Sequence, residues 1–288
     1  MKRKFLRRFG WIVAVPALTL YGLPVAQPPL DGIPSPVQST VRPQGLTIVG
    51  PVMQAGSDAD AADFQRKVLP SINQLLSVRL AECARFNDSS FLLDPSRLTL
   101  RTESDVRVYF VGEGAGYRNT LGFSIQADGK IGGNQALIFP DASSPISSYD
   151  PGKAAVRTST MPMLPGDFVD LGTRSAGSVL DFFLISNGAN GGSSRFGTVA
   201  AKNPDHINHV VAFALADSPY LLLGFEDMLG GGDRDFNDVL IAVDIGARNV
   251  AALTGAPEPG LMVMLMVFIS LAFWRRSRIA GAKGSLAA

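Results

Sequence analysis

Five carboxylates fall within thirteen residues of this chain: Glu226, Asp227, Asp233, Asp235 and Asp238, inside the stretch YLLLGFEDMLGGGDRDFNDVLIAVDIG that runs from Tyr220 to Gly246. Asp233, Asp235 and Asn237 place an oxygen-bearing side chain at every second residue. A hard cation such as Ca2+ takes six to eight oxygens at about 2.3–2.6 Å, and a loop with alternate carboxylates can wrap one. The expected chemistry is calcium coordination, with Glu226, Asp227, Asp233, Asp235, Asn237 and Asp238 as the candidate metal ligands. Without a counter-ion the five charges repel one another, and Arg234 is the one cation among them. The competing reading is a solvated turn whose acids bond their own backbone.

Set against a helix–loop–helix calcium loop, the first, third and fifth positions match Asp233, Asp235 and Asn237, and the twelfth is Asp244 instead of glutamate. The sixth position, which needs glycine, is Asp238, and Val239, Ile241, Val243 and Ile245 then alternate as a strand does. The spacing therefore predicts a loop between two strands, with Gly230 to Gly232 free to turn and Glu226 and Asp227 arriving from the preceding strand end. Glu113, Asn119 and Asn187 are further loop oxygens that could complete a metal shell.

Other chemistries fare worse. A hydrolase could use Glu226 and Asp233 as its two carboxylates, but acids that hold a cation stay ionised and make poor general acids. No Ser-His-Asp order and no histidine-rich zinc motif occurs. Of the two histidines, His209 precedes an apolar strand and reads as a packed, hydrogen-bonded residue, and His206 as loop surface. Cys83 is the single cysteine, so an intrachain disulfide is impossible, and it reads as a small buried hydrophobe. The chain is read as non-enzymatic.

Positioning such a loop requires a rigid frame. From Asp94 onward the runs RLTLR, DVRVYFVG, LGFSIQ, QALIFP, DFVDLG, VLDFFLIS, HVVAFALA, YLLLGFE and DVLIAVDI read as strands, with turn signals such as Asp128-Gly129, Pro165-Gly166 and Asn187-Gly188 between them. This predicts an all-β fold, a β-sandwich of jelly-roll type over residues 94–248. No glycine-rich turn opens a helix and no βαβ alternation occurs, which excludes dinucleotide folds. Ahead of the sandwich, Phe64, Val68, Ile72, Leu75, Leu76 and Leu80 recur at helical spacing within 58–90, with Asp58 or Asp60 as an N-cap and Pro70 as a kink. Residues 27–57, rich in proline and small polar residues, read as an exposed linker, and residues 249–256 as another.

The 288 residues carry 26 Lys+Arg against 25 Asp+Glu, and 46% are hydrophobic, which is globular composition with little net charge. Small clusters of cations stand at the two ends and the others are scattered, without a basic, aromatic-laced stripe, so nucleic acid is not an expected partner. At the N-terminus, Lys2, Arg3, Lys4, Arg7 and Arg8 precede an apolar run, the layout of a secretory signal peptide over residues 1–26 to be removed by signal peptidase. The general secretory route is preferred over twin-arginine export.

At the other end, Leu261 to Trp274 is uncharged and Arg275, Arg276 and Arg278 follow it. That run spans ~21 Å as a helix, less than the ~30 Å hydrocarbon core, but it has no polar face, and its arginines suit a cytoplasmic helix end and can snorkel. With Pro257, Glu258 and Pro259 ahead of it, the order resembles the PEP-CTERM sorting signals over residues 257–279. The resemblance implies transient insertion in the inner membrane, recognition and cleavage by an exosortase, and delivery to the cell surface or extracellular matrix. A retained single-span anchor is the alternative.

The acidic stretch carries a second resemblance. Gly224 to Asp227 and Gly231 to Asp238, with the upstream segments VYFVGEGAGYRNTLGF and VLDFFLISNGAN, are similar to the family of a domain of unknown function, DUF4114, over roughly Asp105 to Ile245. That resemblance implies an exported, β-sandwich-like domain with suspected calcium binding and no established activity. The expectation is a calcium-stabilised surface protein. A calcium-dependent carbohydrate-binding module, with surface polysaccharide as partner and Tyr117, Tyr149 and Phe196 as loop aromatics, is the alternative.

Overall fold

Alternating apolar residues between Leu92 and Asp244 fold into ten strands among the residues that the computed structural model describes, which are 38–74, 76, 92–125, 134–147, 154–215 and 218–255. The signal peptide, Cys83, Tyr149, the Asp128-Gly129 turn and the whole 257–279 segment lie outside these residues. Among them no helix is long and apolar enough to cross a membrane.

The strands are β1 (Leu92–Leu93), β2 (Ser104–Gly112), β3 (Thr120–Ile125), β4 (Asn134–Phe139), β5 (Phe168–Arg174), β6 (Leu180–Ile185), β7 (Arg195–Gly197), β8 (Val210–Ala214), β9 (Tyr220–Phe225) and β10 (Val239–Asp244). They form two sheets, ordered β1-β8-β9-β10-β2-β5 and β4-β3-β6-β7, and every strand pairing is antiparallel. Alternate residues of the two sheets meet in one core: Val106, Val108 and Phe110 of β2 and Leu221, Leu223 and Phe225 of β9 share it with Leu121 and Phe123 of β3 and Phe182 and Leu184 of β6. The fold is the all-β sandwich that the pattern predicts. β7 and the two-residue β1 are strands the pattern did not offer, because runs this short carry no readable alternation. The RLTLR run is not a strand; residues Pro95–Arg97 form a 3-10 turn and Thr99 makes one isolated bridge to Val179.

β9 and β10 are buried on both faces, apart from Asp244 at the end of β10. Their outward residues Tyr220, Leu222, Leu240 and Ala242 lie under the helical segment, against Ala61, Phe64, Leu69, Ile72 and Leu76. This two-sided burial is why both strands read as continuous apolar runs. The helix starts at α1 (Ala59–Asp63), capped by Asp58, whose carboxylate accepts from the Ala61 N–H at 2.8 Å. It passes through a π turn at Phe64–Val68 and continues over 69–74. The widened turn, in which the Leu69 N–H reaches back to Phe64, sits immediately before Pro70, which has no N–H to give to the carbonyl four residues back. Phe64 stacks on Tyr109 of β2 at 3.9 Å between ring centroids.

Residues 38–57, the described part of the expected 27–57 linker, differ from the exposed segment expected. From Gln38 the chain is described and it packs: Ile48 and Val52 are buried. Backbone bonds join Val49 and Thr47 to Leu137 of β4, and Met53 to Phe168 of β5. The segment thus crosses from the edge of one sheet to the edge of the other, covering both. Composition concealed this because four apolar residues, Ile48, Val49, Val52 and Met53, suffice for the contact. Residues 249–254, expected as the second linker, belong instead to helix α2 (Ala247–Thr254). Asn249 fastens it: its side-chain oxygen accepts from the N–H groups of Arg101 and Thr102 at 2.8 and 2.9 Å, and its amide donates to Thr102 and Ile245.

Candidate metal centre

The acidic stretch is the loop between β9 and β10, residues 226–238, as its spacing predicts. Its neck is held by ladder-like bonds, from the Glu226 N–H to the His209 carbonyl (2.9 Å) and from the Asp238 N–H to the Phe225 carbonyl (3.1 Å). Beyond the neck the backbone turns left-handed at Gly230, Gly231 and Gly232, and again at Arg234 (φ +61°) and Phe236 (φ +55°). A side chain makes that conformation cost about 1–2 kcal/mol per residue, so the two non-glycine positions are held by their surroundings. The Phe236 N–H donates to Glu226 Oε1 at 2.6 Å, and the Phe236 carbonyl lies against Gly224, where a β-carbon would stand 2.3 Å from it.

This curl brings three of the expected ligands together. Oxygens of Glu226, Asp233 and Asp235 lie within 4.8 Å of one another, and an ion at 2.3–2.6 Å from each oxygen spans that separation. Glu226 is 1% exposed, and its second oxygen, Oε2, is buried with no hydrogen-bond partner. A buried carboxylate oxygen without a donor carries a large desolvation cost. Gly232 keeps the ground beside it clear, since a β-carbon there would stand 2.6 Å from Oε2. Burial, together with the charges of Asp235, Asp233 and Asp227, pushes the Glu226 carboxyl up to about 7. The set consists of hard oxygen donors with excess negative charge, which fits a divalent hard cation and no soft metal.

The other three expected ligands stand beside this trio. Asn237, also buried, bonds Asp235 through its side-chain amide and its N–H. Asp227 and Asp238 face each other: Asp238 Oδ2 accepts from the Asp227 N–H at 2.8 Å, and burial plus the neighbouring carboxylate raises Asp238 to about 8. Asp227 is raised as well, chiefly by burial. Asp244, the twelfth position of the helix–loop–helix comparison, lies at the far end of β10, where it accepts from the Gly246 N–H.

Of the three distant oxygens, Asn119 joins the site. Its amide donates to Asp227 Oδ2 at 2.7 Å and its oxygen accepts from the Asn187 N–H at 2.9 Å, so a buried side chain at the start of β3 links the acidic loop to the second sheet. Asn187 itself turns to Arg118 and Asn190. Glu113 accepts from the Ser144 N–H, and burial with Asp141 and Asp227 nearby raises it to about 7.

A clamp that residue types did not reveal completes the geometry. Asp205 accepts from the Gly230 N–H at 2.8 Å and from His209 Nε2 at 2.9 Å, while His209 Nδ1 lies 3.2 Å from the Glu226 carbonyl. His209 is fully buried and stacked on Phe196 at 4.0 Å, a packed and hydrogen-bonded residue as expected, and His206 is exposed. Phe196 is correspondingly fully buried and is no sugar platform, a correction to its reading as a loop aromatic; Tyr117 is 43% exposed.

With this geometry in view, one part of the chain can be compared with a known family. Residues 175–246 match the family described as a domain of unknown function, DUF4114. The DUF4114 match runs through β6 to β10 and contains the whole acidic loop, the Asp205–His209 clamp and Asn187. Asn119 and Glu113 precede it. No curated protein and no solved structure matches the chain.

Proposed function

We propose that this is an exported, non-enzymatic protein whose sandwich binds calcium through the β9–β10 loop. The observation that carries the reading is the buried, partnerless Oε2 of Glu226 within one ion's reach of Asp233 and Asp235. Glu226, Asp233 and Asp235 would hold the ion directly, and Asn237, Asp227 and Asp238 would fix the loop around it. Bound calcium supplies the positive charge that the loop lacks. A ligand that binds the folded state alone stabilises it by about 2.7 kcal/mol at a hundred times its dissociation constant, so the loop becomes a clamp on the two central strands of the larger sheet.

The rest of the proposal concerns the ends of the chain. The Lys2–Arg8 cluster and the apolar run after it would direct export, with signal peptidase removing residues 1–26. Pro257, Glu258 and Pro259, the apolar run and Arg275, Arg276 and Arg278 would address the protein to an exosortase and leave it at the cell surface or in the extracellular matrix. Thermal unfolding of the full chain in excess calcium and in chelator tests the metal reading. A rise in melting temperature with calcium that vanishes in an Asp233→Ala/Asp235→Ala protein supports it; equal melting in both solutions refutes it.

A further inference from the structure

The tip of the β9–β10 loop carries apolar side chains that the sandwich does not bury. Met228 is 49% exposed and Leu229 61%, and among the described residues they are the one pair of exposed large hydrophobic residues adjacent in the chain. Single exposed apolar residues are ordinary, whereas contiguous ones mark contact surfaces. The pair stands against the candidate metal centre. A β-carbon built on Gly232 would meet Glu226 Oε2 at 2.6 Å and the β-carbon of Met228 at 3.8 Å, so the exposed methionine flanks the partnerless oxygen. Gly230, next along the tip, has open space around it, and a β-carbon on Gly231 would lie 3.2 Å from Cδ1 of the partly buried Ile207. The rest of the tip is charged and unpaired. Asp233 and Arg234 are exposed, and neither the carboxylate nor the guanidinium makes a hydrogen bond or an ion pair among the described residues.

A calcium ion held by this loop would leave room for a ligand from outside the chain. Glu226 Oε1 already accepts from the Phe236 N–H, so the three carboxylates offer one oxygen from Glu226 and up to two each from Asp233 and Asp235, fewer than the six to eight that calcium takes. Phosphate is a hard, anionic oxygen donor, the class that both calcium and an unpaired guanidinium bind. A phosphate carried at the head of acyl chains also gives Met228 and Leu229 an apolar medium to enter. Without the ion, five carboxylates would repel such a surface, so docking requires calcium. The aliphatic pair favours lipid over sugar: the exposed aromatic residue among those described, Tyr117, stands on the β2–β3 loop, and the tip has no exposed ring.

We propose, resting on the calcium reading of the same loop, that this tip is a calcium-dependent docking surface for an anionic phospholipid bilayer. Headgroup phosphates complete the ion's shell and pair with Arg234, and Met228 and Leu229 enter the interface. The uncharged run from Leu261 to Trp274 can bind vesicles by itself, so the test reads the tip locally. Leu229→Trp in the full-length protein adds an interface-seeking indole to Trp11 and Trp274, and its emission is the difference from the parent's. Vesicles are phosphatidylcholine alone or mixed with phosphatidylglycerol, in calcium or in chelator. The expected result is a blue shift only where calcium and phosphatidylglycerol are both present, reversed by chelator. In that background Asp233→Ala/Asp235→Ala should abolish the shift. Arg234→Gln, which alters none of the proposed ligands, should raise the lipid concentration needed about fivefold and keep the parent's calcium-dependent melting. Calcium-dependent melting without a calcium-dependent shift overturns the docking and leaves the calcium reading in place; equal melting in calcium and chelator removes both. An equal shift with phosphatidylcholine alone, or one that survives Asp233→Ala/Asp235→Ala, also overturns the docking. A shift with alginate and none with vesicles would assign the tip to an acidic polysaccharide instead.

Discussion

The two ends of β10 are both crowded with carboxylates, and the chain handles them in opposite ways. Beyond Val239, five acids crowd a single loop with Arg234 as the loop's only cation, and one buried oxygen has no partner. Beside Asp244, five acids from four separate elements surround Arg107, whose guanidinium binds two of them in good geometry. The same strand therefore carries one end at which the protein's own arginine ties two of the acids together and one end at which a buried carboxylate oxygen has no partner. Neutralisation by a side chain stabilises the fold unconditionally; neutralisation by a bound ion makes stability depend on the ion's concentration.

The largest effect should come from denying the loop the calcium ion proposed for it. Gly232→Ala places a methyl group against Glu226 Oε2 in a left-handed backbone. It should abolish the calcium-dependent stabilisation, about 3 kcal/mol at saturating calcium, or roughly 6–12 °C for a domain of this size. Melting curves with calcium and with chelator that still differ in this variant would place the ion elsewhere.

Asn119→Ala should come next, at about 1–3 kcal/mol, because it leaves Asp227 and the Asn187 N–H without their partner between the sheets. Chemical denaturation in chelator reads this loss directly, and a cost below about 0.5 kcal/mol would show that the link between loop and second sheet is dispensable. Arg107→Met is the matching change at the opposite end. Asp58 and Asp170 are about half exposed, which limits the loss to about 1 kcal/mol. Its calcium response should equal that of the parent, and any drop in that response would mean that the two ends are coupled.

The smallest effect concerns pH. Glu113, at the acidic end, has its folded-state value raised to about 7, by burial first and then by Asp141 and Asp227, against about 4.5 unfolded. An acid raised on folding favours the folded state only while protonated. Its contribution is full below about pH 4.5 and is lost as pH climbs towards 7. In chelator, Glu113→Gln should therefore flatten the fall in melting temperature between pH 5 and 7. A pH profile identical to the parent's would remove Glu113 from the balance.

Much of this could be read from residue order, and the failures are instructive. The loop between β9 and β10 was legible because its charges are consecutive and the flanking apolar runs have strand length. The π turn before Pro70 was legible as a kink because proline lacks the N–H that the α pattern needs. The packing of residues 38–57 was not, since four apolar residues in a proline-rich stretch resemble a linker until a sheet edge is there to receive them. Asn249 shows the same limit: a polar side chain in a short segment signals nothing until the N–H groups of Arg101 and Thr102 are set beside it.

By itself the sequence determined the β-rich frame and the acidic loop, because strand alternation and a ligand set confined to thirteen residues are local properties of the chain. Only the tertiary structure decided which acids act together. It separated Glu226, Asp233 and Asp235 from the Asp227–Asp238 pair, joined Asn119 to Asp227 across 108 residues, and gathered Asp60, Asp105, Arg107, Asp170 and Asp244 around one cavity. Coulombic and hydrogen-bond energies depend on separation in space, and spatial neighbours from distant segments exist only once the sheets have paired and the helix has closed over them.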